Sequence, residues 1–242
     1  MTTRRLVLTS LLAGFTTLWS AAGTAQTPPS PDQVVAGLKQ NLAESQKRLR
    51  QYEWIETTAI SLKGEEKSRK QQRVYYGADG TLTKLPMGSA PAATPAEPAG
   101  RRGGRVKERV VENKKDEMQE YMERAAALIH KYVPPSAALI QKAKDEGKLQ
   151  VGPAQPGTVR AAFRDFVQAG DSMAIDVDVK ALLLNALTVA TYLDKAEDAV
   201  TLDVRFGTLA DGTSYSAKTT FEAKAKNIQV VIENTGHRPL AR

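Results

Sequence analysis

Cysteine is missing altogether. That excludes disulfides, thiolate metal sites, a cysteine nucleophile and lipid attachment at a lipobox cysteine. Histidine is almost missing: His130 and His237 stand far apart and outside HExxH spacing, so neither points to a metal or a catalytic triad. Neither GxxxxGKS/T nor GxGxxG occurs, so "GADGTL" and "LADGTS" read as hairpin turns, not phosphate loops. Aromatic residues make up only 6% of the chain, and Trp54 is the only tryptophan outside the first 25 residues. The one sustained apolar run, "LVLTSLLAGFTTLW", is shorter than the roughly 20 residues a spanning helix needs and is interrupted by Thr and Ser.

That run sits in an export signal. Arg4 and Arg5 form a positive n-region, the apolar run is the h-region, and Gly23 and Ala25 are small residues at the cleavage positions. Residues 1–25 are therefore expected to be a signal peptide cleaved near Ala25, leaving a soluble periplasmic chain. "TRRLVL" half-resembles a twin-arginine signal, but Val7 stands where that pattern wants Phe, which favours the ordinary secretory route. Losing Arg4 and Arg5 lowers the formal charge from +7 to +5. Residues 101–150 carry 12 Lys/Arg against 8 Asp/Glu, and 151–242 carry 10 against 11. After export a basic middle does not imply nucleic acid. It leaves an anionic membrane surface, an acidic envelope protein or a plain solvated helix face, centred on Arg101, Arg102, Arg105, Lys107 and Arg109.

The mature length suits one domain over 26–242. Ser30, Pro31 and Gln33 read as a helix start, and Val34, Val35, Leu38, Leu42 and Leu49 form one stripe of an amphipathic helix. "YEWIETTAISL" alternates as a strand, with Tyr52, Trp54, Thr58, Ile60 and Leu62 on one face. "KGEEK" reads as a turn, "RVYY" as strand, "ADG" as a tight turn and "TLTKL" as a short strand. Residues 87–104 are rich in Pro, Ala and Gly and read as a flexible loop. A long helix follows, with Met118, Tyr121, Met122, Ala125, Leu128, Ile129 and Tyr132 as its apolar stripe, ended by Pro134 and Pro135. A shorter helix runs to Gly147. "SMAIDVDVK", "TVATYLD", "VTLDVRF", "SYSAKTTFEAK" and "IQVVIE" then alternate as sequential antiparallel strands with one oily and one charged face.

The fold class implied is α+β: a curved antiparallel sheet, or half-barrel, whose concave apolar face is covered by the N-terminal helix and the inserted helical pair. The helix, the "YEWIETTAISLKGEE" strand, the "YGADG" hairpin and the closing "VTLDVRF…DGTSYSAKTTFEAKAKNIQVVI" meander together resemble the LolA/LolB-type half-barrel of outer-membrane lipoprotein carriers, over most of residues 31–235. The resemblance lies in architecture rather than in a diagnostic motif. It implies a hydrophobic pocket under the helices, open to an acyl group, and the missing lipobox cysteine fits the soluble carrier type. No family site residue carries over.

Candidate ligand-binding residues follow from the predicted inward face. Tyr52 and Trp54 either line a pocket or anchor the core where helix meets sheet. Ala217, Thr219 and Ala223, small on an inward face that also carries Phe221, leave room for a ligand or for a close-packed helix. Met118 and Met122 give the long helix an adaptable face that suits varied apolar partners or simple packing. Asp176 and Asp178 read as solvated surface, and His237 as part of a C-terminal tail. No nucleophile–base pair is legible, so the expectation is a non-catalytic binding protein without cofactor or metal. Its ligand would be a lipid or acylated protein. The alternative is a cell-envelope interaction or structural module with a filled core, acting through the basic surface.

Overall fold

A computed structural model describes residues 31–88 and 104–240, without the side chains of 31–35 and 104–115. The predicted leader, Ser30 and most of the Pro/Ala/Gly segment lie outside the described residues. So do Arg101 and Arg102 altogether, and the side chains of Arg105, Lys107 and Arg109.

Three α-helices and ten strands are described: α1 (Pro31–Leu49), β1 (Tyr52–Leu62), β2 (Glu65–Tyr76), β3 (Leu82–Pro86), α2 (Gly104–Ile129), α3 (Ala137–Asp145), β4 (Leu149–Gln155), β5 (Thr158–Arg164), β6 (Ser172–Asp178), β7 (Leu183–Tyr192), β8 (Ala199–Thr208), β9 (Ser214–Ala223) and β10 (Ile228–Pro239). All ten strands pair antiparallel in one sheet, in the order β3-β2-β1-β10-β9-β8-β7-β6-β5-β4. The chain thus builds one flank with β1 to β3, detours through the helices, builds the other flank, and closes the middle with β10. Register shifts interrupt five of the ladders, at β1–β10, β1–β2, β4–β5, β6–β7 and β8–β9. Each inserted residue bends its strand and adds twist, which curls so wide a sheet into a half-barrel.

The period-2 pattern decides the faces. Leu62 of β1 lies opposite Ile228, Ile228 opposite Ala223, and Ala223 opposite Val200, so the even positions of β1 share a surface with the oily positions of β8 and β9. That surface is concave and carries the helices. The convex surface carries charge pairs such as Lys218–Glu233 and the bidentate Arg160–Asp176.

Two helices hold the cover in place through their sequence. Ala125, Leu128, Ile129 and Tyr132 of α2 and its trailing turn pack with Ala143 of α3 on Phe163, Met173, Leu187, Val189, Val200, Leu202 and Val204. Tyr121 packs on Ala223 and Ile228, with Met118, Met122 and Leu62 around it. α1 instead crosses one end of the sheet: the Asn41 amide donates to the carbonyls of Ala181 and Leu182, and Ser45 Oγ accepts the Ser214 N–H at 3.0 Å.

Four differences from the sequence pattern have physical causes. β4 and β5 lie in a stretch where Gly152, Pro153 and Gly157 mask alternation; Pro153 is tolerated because β4 is an edge strand. β2 begins at Glu65, so most of "KGEEK" is strand and only Lys63 and Gly64, both at positive φ, make the turn. β10 continues to Pro239 through a bulge at Gly236 (φ 63), which places His237 in the sheet and not in a tail. Asp176 is buried against Arg160, not solvated surface, while Asp178 caps the β6–β7 turn by accepting the N–H groups of Lys180 and Ala181.

Candidate ligand-binding site

The concave face divides into two parts. Over β4 to β8 it is filled by the α2–α3 cluster. Over β1, β10 and β9 the floor is only half-covered by the described residues. Thr58 lies opposite Ile232 and Ile232 opposite Thr219; Ile60 lies opposite Val230 and Val230 opposite Phe221. All six are at least partly accessible, and Ile60 is 38% exposed. This accessible apolar strip of the concave face, hereafter the trough, is bounded at one end by Leu62, Met118, Tyr121 and Met122 of the packed cluster.

The other end is closed by aromatic side chains. The Trp54 ring lies against His237 with centroids 5.6 Å apart and planes 16° apart, and His237 lies 4.0 Å from Tyr215. Tyr76 is 6.1 Å from Trp54, with the Arg50 guanidinium over its outer side at 5.9 Å. Trp54 Nε1 donates to Asn234 Oδ1 at 3.0 Å, and Asn234 Nδ2 donates to the Ser216 carbonyl. The indole is therefore anchored rather than presented: it is 7% exposed. Burial pushes the His237 imidazole below its usual range, so it sits neutral in this stack.

The sequence candidates distribute as follows. Trp54 belongs to the aromatic end wall. Tyr52 lies at the same end, where its hydroxyl donates to Asp211 at 2.8 Å beside the turn under α1. Ala217, Thr219 and Phe221 are half-buried on the concave side of β9, and Phe221 touches both packed clusters. Met118 and Met122 are half-buried in the lid cluster. The trough brings together Thr219 and Phe221 with floor residues that sequence reasoning placed on the same face. It adds Val230 and Ile232, whose alternation in "IQVVIE" was the available signal.

Polar residues on the concave side were missed. Glu56 shares the face of Trp54 and Thr58, and is 9% exposed. Both its carboxylate oxygens accept from Lys84 Nζ, at 2.7 and 2.8 Å. The skipped position in the Tyr52/Trp54/Thr58/Ile60 alternation was the sign of it.

Two buried acids tie the lid to the sheet. Asp171 accepts the N–H groups of Phe166, Val167 and Gln168 and the hydroxyl of Tyr132, which also lies 2.8 Å from Thr191 Oγ1. Asp198 accepts the Tyr121 hydroxyl at 2.6 Å. Burial first, and then the neighbouring carboxylate, push both phenols well above the usual tyrosine range. These groups position α2.

Two grooves lie beside the aromatic end, one of them with Trp54 in its lining. The other, lined by Glu53, Arg73, Tyr75, Arg238, Pro239 and Leu240, is on the convex side, where Arg73 and Arg238 share the Glu53 carboxylate. Among the described residues no helix is long and apolar enough to cross a membrane.

No family model matches the chain, and no curated protein does. Among solved structures it is similar to a DUF1329 family protein from Desulfovibrio piger ATCC 29098, at 10% identity and a TM-score of 0.36 over 85% of this chain and 92% of that one. It is also similar to a LolA superfamily protein from Nitrosomonas europaea, at 7% identity and a TM-score of 0.36 over 85% and 94%. The chain is an open antiparallel sheet of ten strands with helices on one face, the α+β class that its sequence pattern implies.

Proposed function

We propose that the chain is an exported, non-catalytic periplasmic protein that binds a hydrophobic ligand, an acyl chain of a lipid or of an acylated protein, in the trough over β1, β10 and β9. The observation that carries this reading is the uneven cover of the concave face. The β4–β8 part is packed, whereas Thr58, Ile60, Thr219, Phe221, Val230 and Ile232 keep accessible apolar surface beneath the helix-bearing side. Apolar surface left open inside a fold forgoes about 25 cal/mol per Å² of burial, which an acyl chain would supply. The floor carries four apolar side chains and two threonines, and suits a flexible chain better than a ligand needing directional contacts. The leader supports delivery to the compartment where such a ligand is met.

The test is native mass spectrometry of residues 26–242 purified from a periplasm without detergent, with organic extraction of the same sample. A bound mass in the lipid range, lost in Thr219→Trp, is the expected result. A clean apo mass that takes up no added lipid, or a bound lipid indifferent to Thr219→Trp, overturns it.

A further inference from the structure

We infer that the trough selects amphiphiles with an anionic headgroup, held at its β2–β3 margin by Lys84 and Lys70 beside Glu56. This rests on the acyl-binding reading and names the ligand class.

The two sides of the trough differ in chemistry. Toward β9 it is apolar. Toward β2 and β3 the same concave surface turns polar: Gln72 lies opposite Glu56, Lys70 opposite Thr58, and Lys84 opposite Val74. Lys84 lies opposite Val74, which is 0% exposed, and its ammonium reaches Glu56. An ion pair on the oily side of a sheet adds little stability, because desolvation offsets the attraction, so its placement here is better explained by a ligand than by folding.

The pair is asymmetric in what it leaves open. The Glu56 side chain is 11% exposed and the Lys84 side chain 40%. Two of the three ammonium N–H groups are directed at Glu56, and the third remains to donate. Lys70 is exposed and has no carboxylate within ion-pair distance among the described residues. Arg50 adds a cation at the Tyr76 end. The acids near this margin are engaged: Glu65 by Lys67, Glu66 by Arg69, and Asp79 by the N–H and hydroxyl of Thr81. The margin therefore offers donors of positive charge and no free acid among the described residues, the arrangement that a carboxylate or phosphate recognises.

The dimensions agree. From Glu56 to Leu62 the strand rises about 20 Å, near the extended length of a palmitoyl chain, so a head at Lys84 and Lys70 would leave its tail along the apolar floor toward Met118.

The experiment compares laurate, lauryl phosphate and lauryl alcohol on the delipidated mature protein, read by equilibrium dialysis and by Trp54 fluorescence. Both acids are expected to bind about tenfold or more tightly than the alcohol, the effect of one charge-assisted hydrogen bond. Lys70→Met and the double variant Glu56→Gln/Lys84→Met are expected to erase that advantage and leave alcohol binding unchanged. A gain for only one acid still supports the assignment and separates a carboxylate source from a phosphate one. If the alcohol binds as tightly as the acids, or if the advantage survives Lys70→Met and the double variant, the headgroup assignment falls while acyl binding stands. If none of the three binds, the acyl-binding reading falls with it.

Discussion

Tyr132→Phe isolates the bond that clamps the end of α2. The ring is 0% exposed and packs with Phe166, and its hydroxyl donates to Asp171, itself 3% exposed. The substitution keeps the ring and removes one oxygen. Asp171 retains three backbone N–H donors, and Thr191 Oγ1 still accepts the Gln168 amide while its own hydroxyl proton loses the Tyr132 oxygen, so the acid is not stranded. The loss should therefore be mainly that of the hydrogen bond to a charged group, about 1.5–3 kcal/mol, without the larger penalty of an orphaned buried acid. Asp171→Ala should cost more, because it strands three N–H groups together and leaves the Tyr132 hydroxyl only Thr191 Oγ1. For a domain of this size about 2–4 °C of Tm accompanies each kcal/mol, so thermal unfolding should show Tyr132→Phe lower by about 3–12 °C. A change under about 0.5 kcal/mol, typical of surface substitutions, would refute the clamp.

Alkaline titration gives a second check. The folded-state pKa values of Tyr121 and Tyr132 lie above the unfolded value, so the stability they contribute is whole below pH 10 and declines as pH rises above it. Denaturant melts should weaken above about pH 10 in the native protein and less steeply in Tyr121→Phe/Tyr132→Phe. Gly207→Ala should destabilise by about 1–3 kcal/mol, since its Cβ would come within 3.0 Å of the Tyr215 ring. Gly236→Ala, at φ 63, should cost about 1–2 kcal/mol and move His237 off the indole, seen as a change in Trp54 emission; unchanged emission would mean the bulge does not set the stack.

The parts of this fold that could be read from the sequence are those where one face is oily and the other wet. "VTLDVRF" and "SYSAKTTFEAK" alternate because each strand separates the α2–α3 cluster from water, and the α2 stripe from Met118 to Tyr132 is the matching helical surface. β4 escaped for the opposite reason. An edge strand packs on one neighbour only, so Gly152 and Pro153 survive there and Val151 stays 65% exposed, erasing the periodic signal.

His237 and Glu56 escaped because their positions depend on partners distant in sequence. His237 looks like tail until the Gly236 bulge turns it toward Trp54, more than 180 residues earlier in the chain. Glu56 looks like a flaw in an apolar alternation until Lys84, two strands away, comes to lie on it. A sheet with only a packed core on its concave side would be expected to place Leu or Val at position 56, gaining burial without desolvating a charge. Keeping Glu there with its cation exposes a polar margin to a half-open apolar floor. The place where local pattern fails is thus the place where the concave face departs from core packing and acquires the chemistry to discriminate among amphiphiles.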